Sequence, residues 1–329
     1  MSWKISRRSF LKVSGCLMLG SAVSGLLCGA GDPAEGGAAV PTVGGLRVNY
    51  VRAFAKDYGN NFRQMEIHLN IENTNSSAAY FNQENFVPML GNSRYGGEFT
   101  FTSLSKWNGS RYVQDVQLKA GETQTISYSC KLQPEDLSAG LRTVDPAPWS
   151  LTLLYGGQRQ TYTGYLLPDH YSTEYTAGPV ESTVLPSVGG IVLSGFWSSD
   201  FPTQIPSYSL PIYFTMQNSN DTAAQLPFRG VAENGDVLDN FTIRMDGQPR
   251  NHYRLYACTH TSRFTPEEKG HLETLQPQEI CFAETGISLT KDEYSTLYTT
   301  GHTLEITFSY GDESVTVRGN TRTGIFEAI

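Results

Sequence analysis

Late in the sequence, two cysteines and two histidines carry side chains that can bind a metal ion. Cys258 and His260 are two residues apart, so on a strand both would face the same side, and thiolate and imidazole are zinc ligands. His271 and Cys281 could complete a four-ligand set. Cys258 and Cys281 could instead form a disulfide in an oxidising compartment. Because a Cys-x-His pair alone is a weak signal, we favour a disulfide or two inert thiols, and we predict no cofactor.

Adjacent acidic residues form two pairs, Glu135 with Asp136 and Asp292 with Glu293. Two neighbouring carboxylates can bind calcium or act as an acid and a base. Adjacent residues rarely face the same side of an element, however, and acidic residues favour the first turn of a helix because they complement its dipole. We therefore interpret each pair as part of a turn or a short helix.

Patterns typical of common enzymes are missing, since the sequence has no HExxH, GxSxG, GxxxxGK, GxGxxG or CxxC motif. We predict no catalytic residues and a protein that is not an enzyme. Aromatic residues allow another chemistry, because Trp107, Trp149 and Trp197 could stack on sugar rings. Tryptophan and tyrosine also fill the cores of β-sheet proteins, and exposure of the three tryptophans in one row would distinguish the two alternatives.

These residues belong to a sequence that contains one unit twice. The segment IENTNSSAA, residues 71–79, returns as MQNSNDTAA, residues 216–224, at a spacing of 145 residues. At the same spacing VGGL, residues 43–46, matches VGGI, residues 188–191. Both units also end in a glycine-turn hairpin. The sequence therefore predicts a duplication of a whole domain.

Alternation of apolar and polar residues predicts strands with one buried face. In the first unit we predict strands near residues 46–54, 65–73, 98–104, 111–118, 124–132, 150–155 and 159–165. Seven short strands separated by turn residues are typical of a sandwich. The predicted fold class is all-β, with two tandem sandwiches after an N-terminal signal segment.

The repeat and the composition set the predicted boundaries. They are a signal segment at residues 1–30, a flexible spacer at 31–42, a first domain at 43–165, a linker at 166–187, a second domain at 188–320 and a C-terminal tail at 321–329.

The N-terminus contains an arginine pair followed by a moderately apolar stretch. It resembles the twin-arginine translocation signals of bacteria and archaea, and the residues that carry the resemblance are Arg7, Arg8, Phe10, Leu11 and Lys12. The resemblance implies export by the twin-arginine translocase to an extracytoplasmic location, whether periplasmic, cell-surface or secreted. A retained membrane anchor is the alternative, although the glycines in this stretch make it a marginal span.

Small residues at the end of the apolar stretch predict signal cleavage after Ala30. Cys28 also permits lipid attachment, but Leu27 stands where the bacterial lipid-attachment motif has a small residue. We therefore expect membrane contact only through the signal segment, with a lipid at Cys28 as the alternative.

Charge excludes one class of partner. Four of the 24 basic residues lie in the signal, so about 20 basic residues oppose 32 acidic ones in the exported chain. A strongly acidic balance argues against a nucleic-acid partner.

The strand pattern and the polar turns at residues 73–77 and 218–222 resemble tandem immunoglobulin-like domains of uncharacterised extracellular bacterial proteins. The sequence has no antibody-type Cys, Trp, Cys spacing. The resemblance implies an exported, non-catalytic interaction or ligand-binding scaffold with an unknown extracellular protein or glycan ligand. Two alternatives stay open, namely a metal- or cofactor-carrying accessory subunit of an exported enzyme and a carbohydrate-binding module.

Overall fold

Strands make up most of the described chain, as the alternating pattern predicts. The structure, a computed structural model, describes residues 40–57, 63–81, 85–90, 93–94, 116–132, 147–166, 172–198, 208–228, 230–231, 237–258, 270–297 and 300–329. The signal segment and the predicted positions of cleavage and lipid attachment, Ala30 and Cys28, lie outside these residues.

We call residues 43–182 the first half. Its described strands are β1 (Leu46–Asp57), β2 (Arg63–Asn73), β3 (Ala79–Phe81), β4 (Phe86–Leu90), β5 (Ser93–Arg94), β6 (Val116–Leu118), β7 (Thr123–Leu132), β8 (Ala147–Tyr155), β9 (Gln158–Leu166), β10 (Tyr175–Ala177) and β11 (Glu181–Ser182).

Residues 188–329 form the second half. Its described elements are β12 (Ile191–Ser198), β13 (Ser209–Asn218), β14 (Ala224–Gln225), β15 (Gly230–Val231), β16 (Val237–Leu238), β17 (Phe241–Met245), β18 (Gln248–Arg250), β19 (Tyr256–Cys258), β20 (Gly270–His271), β21 (Thr274–Leu275), β22 (Ile280–Ser288), helix α1 (Lys291–Thr296), β23 (Thr303–Tyr310), β24 (Glu313–Asn320) and β25 (Phe326–Ala328).

Two sheets pack against each other in the first half. One has the order β1-β2-β7, and the other has the order β10-β9-β8-β4-β5. The apolar positions of β2, Ile67, Leu69 and Ile71, are fully buried and share a core with Leu151 and Leu153 of β8. Because side chains alternate along a strand, the polar residues between them, His68 and Asn70, lie on the other side of the sheet, where His68 is buried and Asn70 is half-buried. The predicted all-β sandwich is confirmed.

The second half has the same strand order. Its first sheet begins β12-β13-β22 and its second contains β17-β23-β24, while β14 pairs with β21 as β3 pairs with β6. Three phenylalanines, Phe214, Phe241 and Phe308, meet in its core with ring centroids 5.0 to 5.3 Å apart. Residues 321–329, which the sequence predicts as a tail, include β25, whose Phe326 is buried in the same core.

The predicted linker, residues 166–187, contains two short strands. Both β10 and β11 pair with β9 and so extend a sheet of the first half at its edge. Residues 40–329 cluster as one compact unit.

The repeated Asn-rich motif builds the same corner in each half. Asn218 is fully buried, and its Nδ2 donates to the carbonyl oxygens of Thr222 and Leu275, both at 2.9 Å. Its Oδ1 accepts a hydrogen bond from the amide of Asn220 at 3.0 Å. Asn73 does the same in the first half, where its Nδ2 donates to three main-chain carbonyls at 2.8 to 3.1 Å. The motif therefore satisfies main-chain groups that the ladders leave unpaired.

The Val-Gly-Gly segments, residues 43–45 and 188–190, contact this corner from the other side. Asn75 donates to the carbonyl of Gly44, and Asn220 makes the equivalent bond in the second half. Gly45 and Gly190 have φ of +81° and +78°, and a Cβ on either glycine would collide with the asparagine side chain. Glycine is thus required at both positions for conformational and steric reasons.

Candidate functional site

The two cysteines of the predicted disulfide lie on opposite faces of one sheet. Cys258 on β19 pairs with Phe282 of β22, and Cys281 is the preceding residue of β22, which pairs with Met216. Both are thiols, and burial raises the pKa of the Cys281 thiol. The structure therefore does not form the disulfide that the sequence allowed, because side chains on opposite faces cannot be bridged without backbone movement.

The described members of the predicted metal set do not converge. His271 is exposed on β20, where its ring lies 4.7 Å from that of Tyr256, whereas Cys281 points into the core. His260 lies outside the described residues. Within the part of the chain that the structure describes, no group of three or more His, Cys, Asp and Glu side chains is placed to hold a metal ion.

One acidic pair occupies the first turn of α1. Thr290 caps this helix, and its hydroxyl accepts a hydrogen bond from the amide of Glu293 while the Glu293 carboxylate accepts one from the amide of Thr290. Asp292 lies in the same turn. The prediction of a short helix is confirmed for this pair, and Glu135 and Asp136 lie outside the described residues.

A triad-like arrangement, which the sequence did not suggest, joins α1 to two turns. Asp246 Oδ2 lies 2.7 Å from Nδ1 of His302, and His302 Nε2 lies 2.8 Å from the hydroxyl of Thr296. Partial burial opposes ionisation of Asp246, but hydrogen bonds from His302 and the Thr303 amide lower the pKa of this carboxyl. Because these residues are far apart in the sequence and share no motif, their contact could not be predicted before the fold was known.

The arrangement lacks two requirements of an acyl-transfer triad. The Thr296 hydroxyl also lies 2.9 Å from the carbonyl oxygen of Asp292 and 3.2 Å from that of Glu293, so main-chain acceptors of the helix compete with His302 for its proton. Thr296 also lies at the end of α1, where the amides of the last turn serve the helix itself and not an oxyanion. The three side chains therefore anchor the end of α1 to the turn at Asp246.

A second histidine is fixed inside the second half. His252 is 3 % exposed, and its Nε2 lies 2.7 Å from Asp239 Oδ2 while its Nδ1 lies 2.9 Å from the carbonyl of Tyr253. Both partners accept hydrogen bonds, so both ring nitrogens carry protons. Burial alone would lower the pKa of His252, but the bonds to Asp239 and to main-chain carbonyls raise it. Through Asp239 and the carbonyl of Phe241, His252 joins the start of β17 to the segment before β19.

Of the two alternatives for the tryptophans, a core role and an exposed row that stacks on sugars, the described one, Trp149, has the core role. Trp149 is 3 % exposed and packs in the first core, where its ring covers Gly164 on the neighbouring strand. The side chains of Trp107 and Trp197 lie outside the described part. Trp149 is thus a core residue and cannot stack on a ligand.

The outer face of the β12-β13-β22 sheet is buried against the first half. Tyr213 and Phe282 on this face form an apolar cluster with Val87 of β4 and Leu154 of β8. Beside the cluster, the β8–β9 turn approaches Gly195, and together they line a small polar cavity. Apolar contact of this kind is what makes a stable interface between two sandwiches.

The corresponding face of the first half, on β1, β2 and β7, presents polar groups to solvent. A bulge in β1 turns both Asn49 and Tyr50 outward, and both are exposed. Asn49 Nδ2 donates to Asn70 Oδ1 at 2.9 Å, and Asn70 Nδ2 donates to the Thr125 hydroxyl at 3.0 Å. The Tyr50 hydroxyl lies 3.2 Å from the same Thr125 oxygen. We call Asn49, Tyr50, Asn70 and Thr125 the open face.

An ion pair borders the open face. Arg47 of β1 makes two hydrogen bonds, of 2.6 and 3.1 Å, to the carboxylate of Glu72 on β2. The sequence identified these strands and their polar sides, but the adjacency of Asn49 and Tyr50 depends on a bulge that alternation does not reveal.

No protein-family model matches the chain, and no curated protein is significantly similar to it. Within the described residues, no helix combines the length and apolar character needed to cross a membrane.

Proposed function

We propose that this protein is an exported, non-catalytic binding protein built from a duplicated immunoglobulin-like sandwich, and that it binds its extracellular ligand through the open face. The difference between the two sheet faces is the observation that carries the proposal. One face is apolar and covered by the other half, whereas its counterpart on β1, β2 and β7 is polar, with Asn49 and Tyr50 exposed and Asn70 and Thr125 half-buried, and its side chains are held in place by their own hydrogen bonds.

Pre-organisation is the physical reason to assign binding to the open face. Asn49, Asn70 and Tyr50 are already fixed by hydrogen bonds, so a ligand orders few side chains when it binds. The histidine clusters are less suited to this role, because the partners of His252 and His302 are groups of the fold itself.

Binding to the surface of the source organism's own cells tests the proposal. Labelled protein should bind saturably, and Tyr50→Ala should weaken that binding. Ile280→Ala is the matched control, because the exposed fractions of Ile280 and Tyr50 are similar, 39 % and 41 %. Ile280 lies on the β12-β13-β22 sheet, which is the counterpart of the sheet that carries the open face. Equal binding by both variants, or no saturable binding at all, would refute the assignment.

A further inference from the structure

We infer that the ligand of the open face is a glycan; this inference rests on the proposed function and names the ligand class. A second copy of the chain does not match this face. In the contact between the halves, Val87 and Leu154 supply the apolar groups of the first half. At the matching register positions the second half has Thr242, which is exposed, and Ser309, which is half-buried.

The sheet faces against which these groups pack, or would pack in a head-to-tail copy, also differ between the two halves. Asn70 pairs with Thr125 in the first half, and Thr215 pairs with Phe282 at the matching position of the second. Where Tyr50 stands on the open face, the second half has Gly195, which lines the small cavity together with the β8–β9 turn. A head-to-tail copy would therefore set polar groups against polar groups and meet a tyrosine ring where the existing contact has space. The two outward faces resemble the polar caps that end a repeat array.

Among the side chains that the structure describes, the open face also lacks the apolar centre typical of a protein interface. The exposed large apolar side chains among the described residues are Val40, Tyr50, Val184, Ile280 and Ile329. Only Tyr50 belongs to the open face. Around its ring stand amides, a hydroxyl and the Arg47–Glu72 pair, so a protein partner would find polar groups to desolvate and little apolar area to bury.

These same groups suit a sugar ring. One exposed aromatic ring can cover the apolar C–H face of a pyranose, and planar amide, carboxylate and guanidinium groups can each bind two adjacent hydroxyls. The hydroxyl of Tyr50 is held by Thr125, which fixes the edge of the ring relative to the amides. A sheet face with a single exposed ring and fixed polar groups fits one or two sugar units of a longer chain.

The test treats the same cell surfaces in two ways before the full-length protein is added. Periodate cleaves vicinal diols and should abolish the Tyr50-dependent binding, whereas protease treatment should leave it intact. Purified soluble polysaccharides should compete, and Tyr50→Ala should weaken binding to the best competitor about tenfold, with Ile280→Ala unchanged.

The outcomes separate the inference from the proposed function. Binding that depends on Tyr50, survives periodate and is lost after protease would overturn the glycan while the binding face stands. Tyr50-dependent binding of the labelled chain to immobilised unlabelled chain would replace the glycan with a second copy. If no treatment reveals Tyr50-dependent binding, both the inference and the proposed function fail.

Discussion

Replacing Asn218 by alanine should strongly destabilise the second half. The side chain is fully buried and makes three hydrogen bonds, two to the carbonyls of Thr222 and Leu275 and one from the amide of Asn220. Each intramolecular hydrogen bond contributes about 1 kcal/mol, and the buried main-chain groups would be left without partners, so the free energy of unfolding should fall by about 3 kcal/mol.

Equilibrium urea unfolding measures this loss, and hydrogen exchange followed by mass spectrometry assigns it to a half. Asn73→Ala should cause a similar loss in the first half, because Asn73 makes equivalent bonds. Gln276→Ala is the control, since this exposed side chain on the same loop should change stability by less than about 0.5 kcal/mol. A loss below about 1 kcal/mol for Asn218→Ala would show that the corner does not depend on this asparagine.

Three further outcomes follow from the fold and the sequence. Because the pKa of His252 is raised in the folded state, its stabilising contribution is fully present below the unfolded pKa of roughly 6.5 and is lost as the pH rises through the folded pKa. The free energy of unfolding, measured against pH, should therefore fall on the alkaline side. His252→Gln should remove that dependence. Gly286→Val should lower the melting temperature by several degrees, because a side chain there collides with the ring of Tyr253; an unchanged melting curve would contradict that contact. Replacing Arg7 and Arg8 together by lysine should leave precursor in the cytoplasm, and normal export of that variant would exclude the twin-arginine route.

Alternating strands were the most predictable part of the fold. The apolar residues Ile67, Leu69 and Ile71 of β2 and Ile126 of β7 share the core, and the predicted segments 65–73 and 124–132 fall within a few residues of the strands at Arg63–Asn73 and Thr123–Leu132. By contrast β4 was missed, because Phe86 faces the core and Val87 faces the second half, so the strand shows no alternation.

Tertiary pairing explains what the sequence could not predict about the candidate site. The polar turn after β2 was recognised, but two of the carbonyls that Asn73 binds, those of Leu118 and Lys119, lie distant in the sequence. The difference between the two sheet faces likewise requires the pairing of Thr125 and Phe282 to be known, since each residue alone is an ordinary strand residue. The local alternation of apolar and polar residues therefore identifies the strands. The pairing of strands determines which outer sheet face is covered by the other half.

The two thiols on opposite faces of one sheet give the protein a pair of internal reporters. Cys258 lies in the contact between the halves, so alkylation of its sulfur measures how often the halves separate. Cys281 lies in the core of the second half and reacts only when that sandwich opens. Alkylation rates measured separately for the two cysteine-containing peptides would then show whether the halves separate before either one unfolds. No additional reactive residue has to be introduced into the chain.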